Sequence, residues 1–343
     1  MTSKERVIRA LKGKKIDRIP IFIMSRAYSI RHGGSTFKDC LQDSTGETYS
    51  EVQYRCWRQY RYDGVMDLEG VNSESEALGC GLRVSENESP KVDSPVIEGY
   101  EDIDKVESKV TRFELSWPIT RQLNVVQRLH EKLGKEVPIY ANPQCPLRSA
   151  AMLRGIENTM IDMIDNPKLL HRLLKFTTWI AIYYGKALAW AGADILMASN
   201  PIGSRSMISR RHYEEFSFPY DEEMVKSFHQ DGILVILHIC GDVKDRLDLI
   251  VQAGFDGVSL DSKVDLAWVK KEFGDKICLI GNVDIVDPLL FGTPEEVSIY
   301  SKKCLEILGT SGSMLGAGCE ISPDTPSANL ETLIQAAKTF AGN

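Results

Sequence analysis

With 343 residues, 43% of them hydrophobic and 26% charged, the chain has an ordinary globular composition and can bury a core without disulfide or metal staples. Its 41 Lys and Arg against 48 Asp and Glu give a net charge of −7, which excludes the basic footprint of a nucleic-acid binder. No apolar run approaches the roughly 18 residues of a membrane span, and the opening MTSKERVIRALKGKK lacks a signal peptide's apolar core and cleavage site. A cytoplasmic protein is expected, with its eight cysteines reduced.

The first element reads as a helix. Thr2-Ser3-Lys4-Glu5 has capping-box spacing, Val7, Ile8 and Leu11 share one face, and Gly13 ends it. Eight short apolar runs rich in β-branched residues follow, at 19–23, 64–68, 137–141, 193–198, 234–239, 257–260, 277–280 and 313–315. Several are continuously apolar, as in Ile233-Leu234-Val235-Ile236-Leu237, the pattern of parallel strands covered on both faces. Helices are predicted at 167–191, where Asn166 and Pro167 start the first turn, and at 206–230, 244–253, 265–273, 294–308 and 326–340. Strand alternating with helix implies βαβ units, and eight of them imply a (β/α)8 TIM barrel with an added N-terminal helix. A doubly wound open sheet is the rival. The long stretch after the second strand, about 70–136, reads as an insertion with a hairpin in 80–99 followed by one or two helices, all within a single domain.

Chemistry in such a barrel sits at the C-terminal ends of the strands. The fifth run ends His238-Ile239-Cys240-Gly241, and positions i and i+2 of a strand face the same way, so His238 and Cys240 both point into the mouth. The eighth run leads through Gly316-Ala317-Gly318 to Cys319. Strands five and eight lie across the mouth from each other, so a shared ion requires the last loop to lean inward, which two glycines permit. One His and two Cys with a fourth position open is the donor set of a catalytic zinc. Spacing alone leaves packing as an equal alternative, because buried cysteines are common small hydrophobes. Cys145, in Asn142-Pro143-Gln144-Cys145, lies at the same end as a false ligand or spectator thiol, and Cys278 and Cys304 read as packing. Asp194, at the start of a strand, reads as solvated or capping, and Asp242 as a helix cap. Asn282 and Asp284 end the seventh strand and are candidates for orienting substrate or bracing a ligand. No glycine signature for a nucleotide phosphate is present.

From end to end the chain resembles the uroporphyrinogen decarboxylase superfamily, and within it the methyltransferase branch. That branch holds the methylcobamide:coenzyme M methyltransferases and the corrinoid-dependent demethylating methyltransferases. The resemblance rests on Glu5-Arg6-Val7 through Asp17-Arg18-Ile19-Pro20, Tyr62-Asp63-Gly64-Val65, Glu76-Ala77-Leu78-Gly79-Cys80 and Ala191-Gly192-Ala193-Asp194. It continues in His238-Ile239-Cys240-Gly241, Gly281-Asn282-Val283-Asp284 and Gly316-Ala317-Gly318-Cys319-Glu320-Ile321. It implies a (β/α)8 barrel and a zinc ion on His238, Cys240 and Cys319. The decarboxylase branch carries an Arg-Gln-Ala-Gly-Arg stretch where this chain has Met24-Ser25-Arg26-Ala27-Tyr28-Ser29, so decarboxylation of uroporphyrinogen is the alternative activity.

The implied reaction moves a methyl group between the cobalt of a corrinoid and either a small methylated donor or a thiol acceptor, with the direction open. The corrinoid is expected on a partner protein, since no separate domain here would hold one. Arg26, Tyr28, Met197, Asn282 and Asp284 are the expected substrate contacts, and an apolar mouth of Met24, Tyr28 and Met197 leans toward a small methylated donor. A barrel that binds zinc or a tetrapyrrole without turnover is a third possibility.

Overall fold

The computed structural model describes residues 1–68, 72–86, 88–110 and 116–340, and in it all eight apolar runs become strands of one parallel sheet. In chain order the strands are β1 (Ile21–Phe22), β2 (Val65–Met66), β3 (Gly81–Arg83), β4 (Lys91–Ser94) and β5 (Ile139–Ala141). Then come β6 (Ile195–Ser199), β7 (Leu234–Ile239), β8 (Gly257–Leu260), β9 (Cys278–Val283) and β10 (Ser313–Ala317). The eight parallel strands run β1-β10-β9-β8-β7-β6-β5-β2, while β3 and β4 form the antiparallel hairpin expected in the insertion. The two ends of this order meet through Asp63. Its N–H donates to the Ile21 carbonyl at 3.0 Å, and its carboxylate accepts from the Ile21 N–H at 2.9 Å. The ring is therefore closed, and the fold is a (β/α)8 barrel.

Alternation along the strands divides the apolar residues into two cores. Phe22, Met66, Tyr140, Ile195, Met197, Ile236, Cys278, Ile280 and Met314 fill the interior, joined from below by Val7, Ala10 and Leu11 of the helix Ser3–Leu11. That helix plugs the barrel bottom, and the capping box on Thr2 and Glu5 starts it. The other faces, with Val65, Leu196, Leu237 and Leu279 among them, pack under the helical layer, which is why the strands read as continuous apolar runs.

Charged groups pin the lower rim. Asp63, fully buried, accepts from Arg6 at 2.9 Å, Arg18 at 2.7 Å and the Ser3 hydroxyl at 2.6 Å. Asp194 pairs with Lys4 at 2.6 Å and accepts from the Ile139 N–H at 3.0 Å, so this strand-start acid ties the N-terminal helix to the barrel.

The helices at 167–191, 265–273, 294–308 and 326–340 form as Pro167–Trp190, Leu266–Phe273, Pro294–Leu308 and Ser327–Thr339. The helix expected at 206–230 is two, Arg210–Phe216 and Phe218–Gln230. The break falls at Ser217, and Pro219 sits in the first turn of the second helix, where its missing N–H is tolerated. The segment at 244–253 opens with a 3₁₀ turn before the helix Leu247–Gln252. No helix among the described residues is long and apolar enough to cross a membrane.

Asp63→Ala removes the acceptor shared by Arg6, Arg18 and the Ile21 N–H, and it should cost about 3–5 kcal/mol of unfolding free energy in urea titrations. A loss below about 1 kcal/mol, the size of a surface ion pair, would show that ring closure does not depend on it.

Candidate metal centre

Two chain segments deliver the expected ligands. The first is the end of β7, where His238 and Cys240 project to the same side and Gly241 takes φ +80°, a left-handed turn that a side chain would strain. The second is the loop after β10. A Cβ on Gly318 would lie 2.7 Å from the Ser262 backbone nitrogen, so only glycine lets this loop cross the end of β8 and come inward. Glu320 holds it there by accepting from the Ala27 N–H at 2.9 Å and pairing with Arg26 at 3.2 Å, and the Ile321 N–H donates to the Met24 carbonyl at 3.0 Å.

The result is a triangle of donor atoms. His238 Nε2 lies 3.4 Å from Cys240 Sγ and 3.6 Å from Cys319 Sγ, and the two sulfurs are 3.7 Å apart. A tetrahedral zinc with bonds of about 2.3 Å to sulfur and about 2.05 Å to nitrogen spaces two sulfurs by about 3.8 Å and nitrogen from sulfur by about 3.6 Å. The residues present fit the ion. Among the described residues this is the only group of three or more His, Cys, Asp and Glu side chains close enough to share a metal.

The two thiols are within hydrogen-bonding distance of each other. The hydrogen bond from Cys240 holds the Cys319 thiol well below its ordinary value, with the His238 ring adding to the effect, and the same bond drives Cys240 upward. Elsewhere burial pushes the thiols of Cys40, Cys56 and Cys80 up to about 12, and it raises those of Cys145 and Cys278 as well. Among the described residues Cys240 and Cys319 are thus the two thiols that are not fully buried, and Cys319 is the one held low. Cys145 is fully buried beside Asp221 and is not in the triangle.

The expected substrate contacts separate into groups. Arg26 sits at the mouth, where its charge meets Glu320. Tyr28 is fully buried in the helical layer, its hydroxyl 2.7 Å from that of Tyr60 and 3.1 Å from Ser327, because residue 28 lies within the helix Arg26–His32 and faces its neighbours. Met24 and Met197 are buried in the interior core. The apolar mouth expected from Met24, Tyr28 and Met197 is therefore not formed. Asn282 donates to the carbonyls of Asp261 and Val264, and Asp284 accepts from the Ser262 hydroxyl at 2.6 Å, so both brace the loop after β8. Polar side chains missed by the sequence reading surround the triangle. Ser259 is 3.1 Å from His238 Nδ1, and Asp261 accepts from the Gly241 N–H at 2.8 Å. On the other side Ser199, paired in register with His238, binds Arg148 and Asn142. A cavity of about 510 Å³ lies apart from this site, between the hairpin and the helix Trp117–Leu133, and is lined by Lys38, Trp117 and Arg121.

A buried chain supports the β7 end from behind. Ser217 donates to Asp221 at 2.8 Å, Asn200 donates to Ser217 at 2.8 Å, and the Asn200 N–H donates to the His238 carbonyl at 3.0 Å. Burial pushes the fully enclosed Asp221 carboxyl up to about 7. With its folded-state value above the unfolded one, this group's contribution to stability is fully present below about pH 4 and is lost as pH rises to about 7, by roughly 4 kcal/mol for a shift of this size. Asp221→Asn removes that titration. Between about pH 4 and pH 8 its unfolding free energy should gain on the wild type by most of that amount, and parallel pH profiles would count against a buried neutral acid.

The whole barrel, residues 2–340, matches the family described as Uroporphyrinogen decarboxylase (URO-D). A methylcobamide:CoM methyltransferase, MtbA of Methanosarcina acetivorans, is 28% identical over 344 residues, 99% of this chain and 98% of its own. The uroporphyrinogen decarboxylase of Methylococcus capsulatus is 26% identical over 352 residues, 97% of each chain. Among solved structures, a methyltransferase from Methanosarcina mazei superposes with a TM-score of 0.90 over 98% of each chain at 24% identity, which shows the fold. The chain belongs to the uroporphyrinogen decarboxylase family, in its methyltransferase branch.

Proposed function

We propose that the chain is a zinc-dependent methyltransferase that passes a methyl group from the cobalt of a protein-bound corrinoid to the sulfur of a small thiol. The observation that carries this reading is the triangle of His238, Cys240 and Cys319, whose edges of 3.4, 3.6 and 3.7 Å suit one tetrahedral zinc with its fourth position open to substrate. The likeness to a methylcobamide:CoM methyltransferase along nearly the full length supports the substrate class.

His238 and the two cysteines would hold the ion. Zinc, when bound, supplies the charge that makes a thiol ionise at neutral pH, and the ionised sulfur is the nucleophile a methyl transfer needs. The protein side of the chemistry favours the thiol as acceptor. Cys240 and Cys319, by giving up their protons, would cancel the charge of a divalent ion, so the residues present would suit an electron-rich thiol sulfur better than an ether or amine that needs a strong electrophile. Gly241 and Gly318 bring the ligand segments together, and Glu320 with Arg26 keeps the second one in place. The ends of β6, β7 and β8 supply a rigid platform, so the reacting sulfur would be presented in one orientation.

The purified protein should contain about one zinc per chain by elemental analysis, and Cys240→Ala and Cys319→Ala should each lose most of it. Incubation with methylcobalamin and a panel of small thiols should give slow demethylation, seen as the cobalt spectrum of the reduced form, and Cys240→Ala should abolish it. Zinc-free protein with full transfer activity would overturn the reading. Conversion of uroporphyrinogen to coproporphyrinogen without any cobalamin chemistry would assign the chain to the decarboxylase activity instead.

A further inference from the structure

We propose that Cys240 and Cys319 are a redox modification site: a hydroperoxide joins them as a disulfide, and the joined pair no longer binds a metal. The two sulfurs lie 3.7 Å apart, and a disulfide brings sulfurs to about 2.05 Å. That gap is within reach of rotation about the side-chain bonds of either cysteine, so the anchors of the last loop at Glu320 and Ile321 can stay in place. Cys240 follows directly on β7 and Cys319 lies just beyond β10, so the bond would tie together the two segments that carry the triangle. Both cysteines are partly exposed, whereas the other six are buried. Access for a small oxidant and a second thiol within reach therefore coincide at this pair. A sulfenic acid with a thiol beside it closes a disulfide, whereas an isolated one goes on to the irreversible sulfinic acid.

The step balances as two thiols and one hydroperoxide. One sulfur attacks an oxygen of the peroxide, the O–O bond breaks, and a sulfenic acid forms while water or an alcohol leaves. The second sulfur attacks the sulfenic sulfur, the S–S bond forms, and the hydroxyl departs as water with the second thiol's hydrogen. The protein gives up two hydrogens and two electrons, and the hydroperoxide is reduced. A sulfur held in a disulfide has no negative charge to offer a cation, so His238 would remain as the sole intact donor of the triangle. Metal binding and the disulfide thus exclude each other, and by linkage each disfavours the other. A reducing thiol pool reverses the bond by exchange. The exclusion rests on the zinc reading above; the disulfide itself does not.

Metal-free, fully reduced protein treated with a small excess of hydrogen peroxide should lose about two mass units, one hydrogen from each thiol. Thiols titrated after denaturation should fall by two from the eight of the reduced chain. Peptide mapping without reduction should join the Cys240 peptide to the Cys319 peptide, and dithiothreitol should part them. Cys145→Ser should cross-link like the wild type, and Cys240→Ser should not. In competition with a chelator, the oxidised protein should bind zinc at least about 100-fold more weakly than the reduced protein, with dithiothreitol restoring the affinity. Saturating zinc should slow the cross-link about 10-fold or more, because only the metal-free fraction reacts. Sulfinic acid at either cysteine in place of the cross-link, or a cross-link to Cys145, would overturn the proposal. So would undiminished zinc affinity in the oxidised protein, or a cross-linking rate that zinc leaves unchanged. If the reduced wild type binds no zinc, the proposed function fails, and the peptide map of the metal-free protein still decides whether these two thiols pair.

Discussion

Two strands stand between the segments that carry Cys240 and Cys319, yet their sulfurs are 3.7 Å apart. At about 4.8 Å per strand, β7 and β10 are roughly 14 Å apart along the sheet, too far for two cysteine side chains to span. The loop after β10 must therefore fold back over the ends of β9 and β8, and the site depends on whatever keeps it there. Gly318 removes the side chain that would strike the loop after β8, while Glu320 anchors the turn to the first residues of the helix Arg26–His32. Those residues follow β1 directly, and β1 is held to the rest of the ring by β10 and by Asp63. Ring closure at the lower rim and ligand placement at the mouth are thus parts of one mechanical chain.

Within the barrel the change from scaffold to chemistry takes a single step of two residues. Met197 on β6 and Ile236 on β7 belong to the interior core, and the next inward positions on those two strands are Ser199 and His238, with Ser259 beside His238 on β8. A mainly apolar, buried core below gives these side chains a firm base. The polar layer above is cross-linked laterally, His238 to Ser259 and Ser199 to Asn142. Because the candidate ligands His238 and Cys240 stand at or just beyond the end of a strand, their positions inherit the precision of the ladder. Only Cys319 relies on a loop, and that loop is the one with side-chain anchors.

The strands were legible because parallel strands covered on both faces leave long apolar runs that few other structures produce. His238 and Cys240 were legible for a related reason, since their two-residue spacing converts directly into a shared face. Ser259 and Asp261 carry no comparable signal: serine and aspartate are common at strand ends, and only the register that sets Ser259 opposite His238 singles it out. Tyr28 misled because the sequence shows that it follows β1 but not that it enters a helix whose buried side faces Tyr60 and Ser327. Asn282 and Asp284 were placed correctly at the end of β9, yet their hydrogen bonds go to the neighbouring loop, a partition that needs three-dimensional contacts to see.

The same stretch that supplies the third ligand also bears on the choice between the two activities of the family. A porphyrinogen carrying many carboxylates calls for several arginines free to meet them at the mouth. Arg26 and Arg31, the two arginines nearest the end of β1, instead meet Glu320 at 3.2 Å and Asp324 at 3.0 Å, both from the segment that begins at Cys319. Recruiting Arg26 to a substrate carboxylate would break its pairing with Glu320 and slacken the loop that carries a ligand. Here the Arg26 cation serves the position of the segment that carries Cys319.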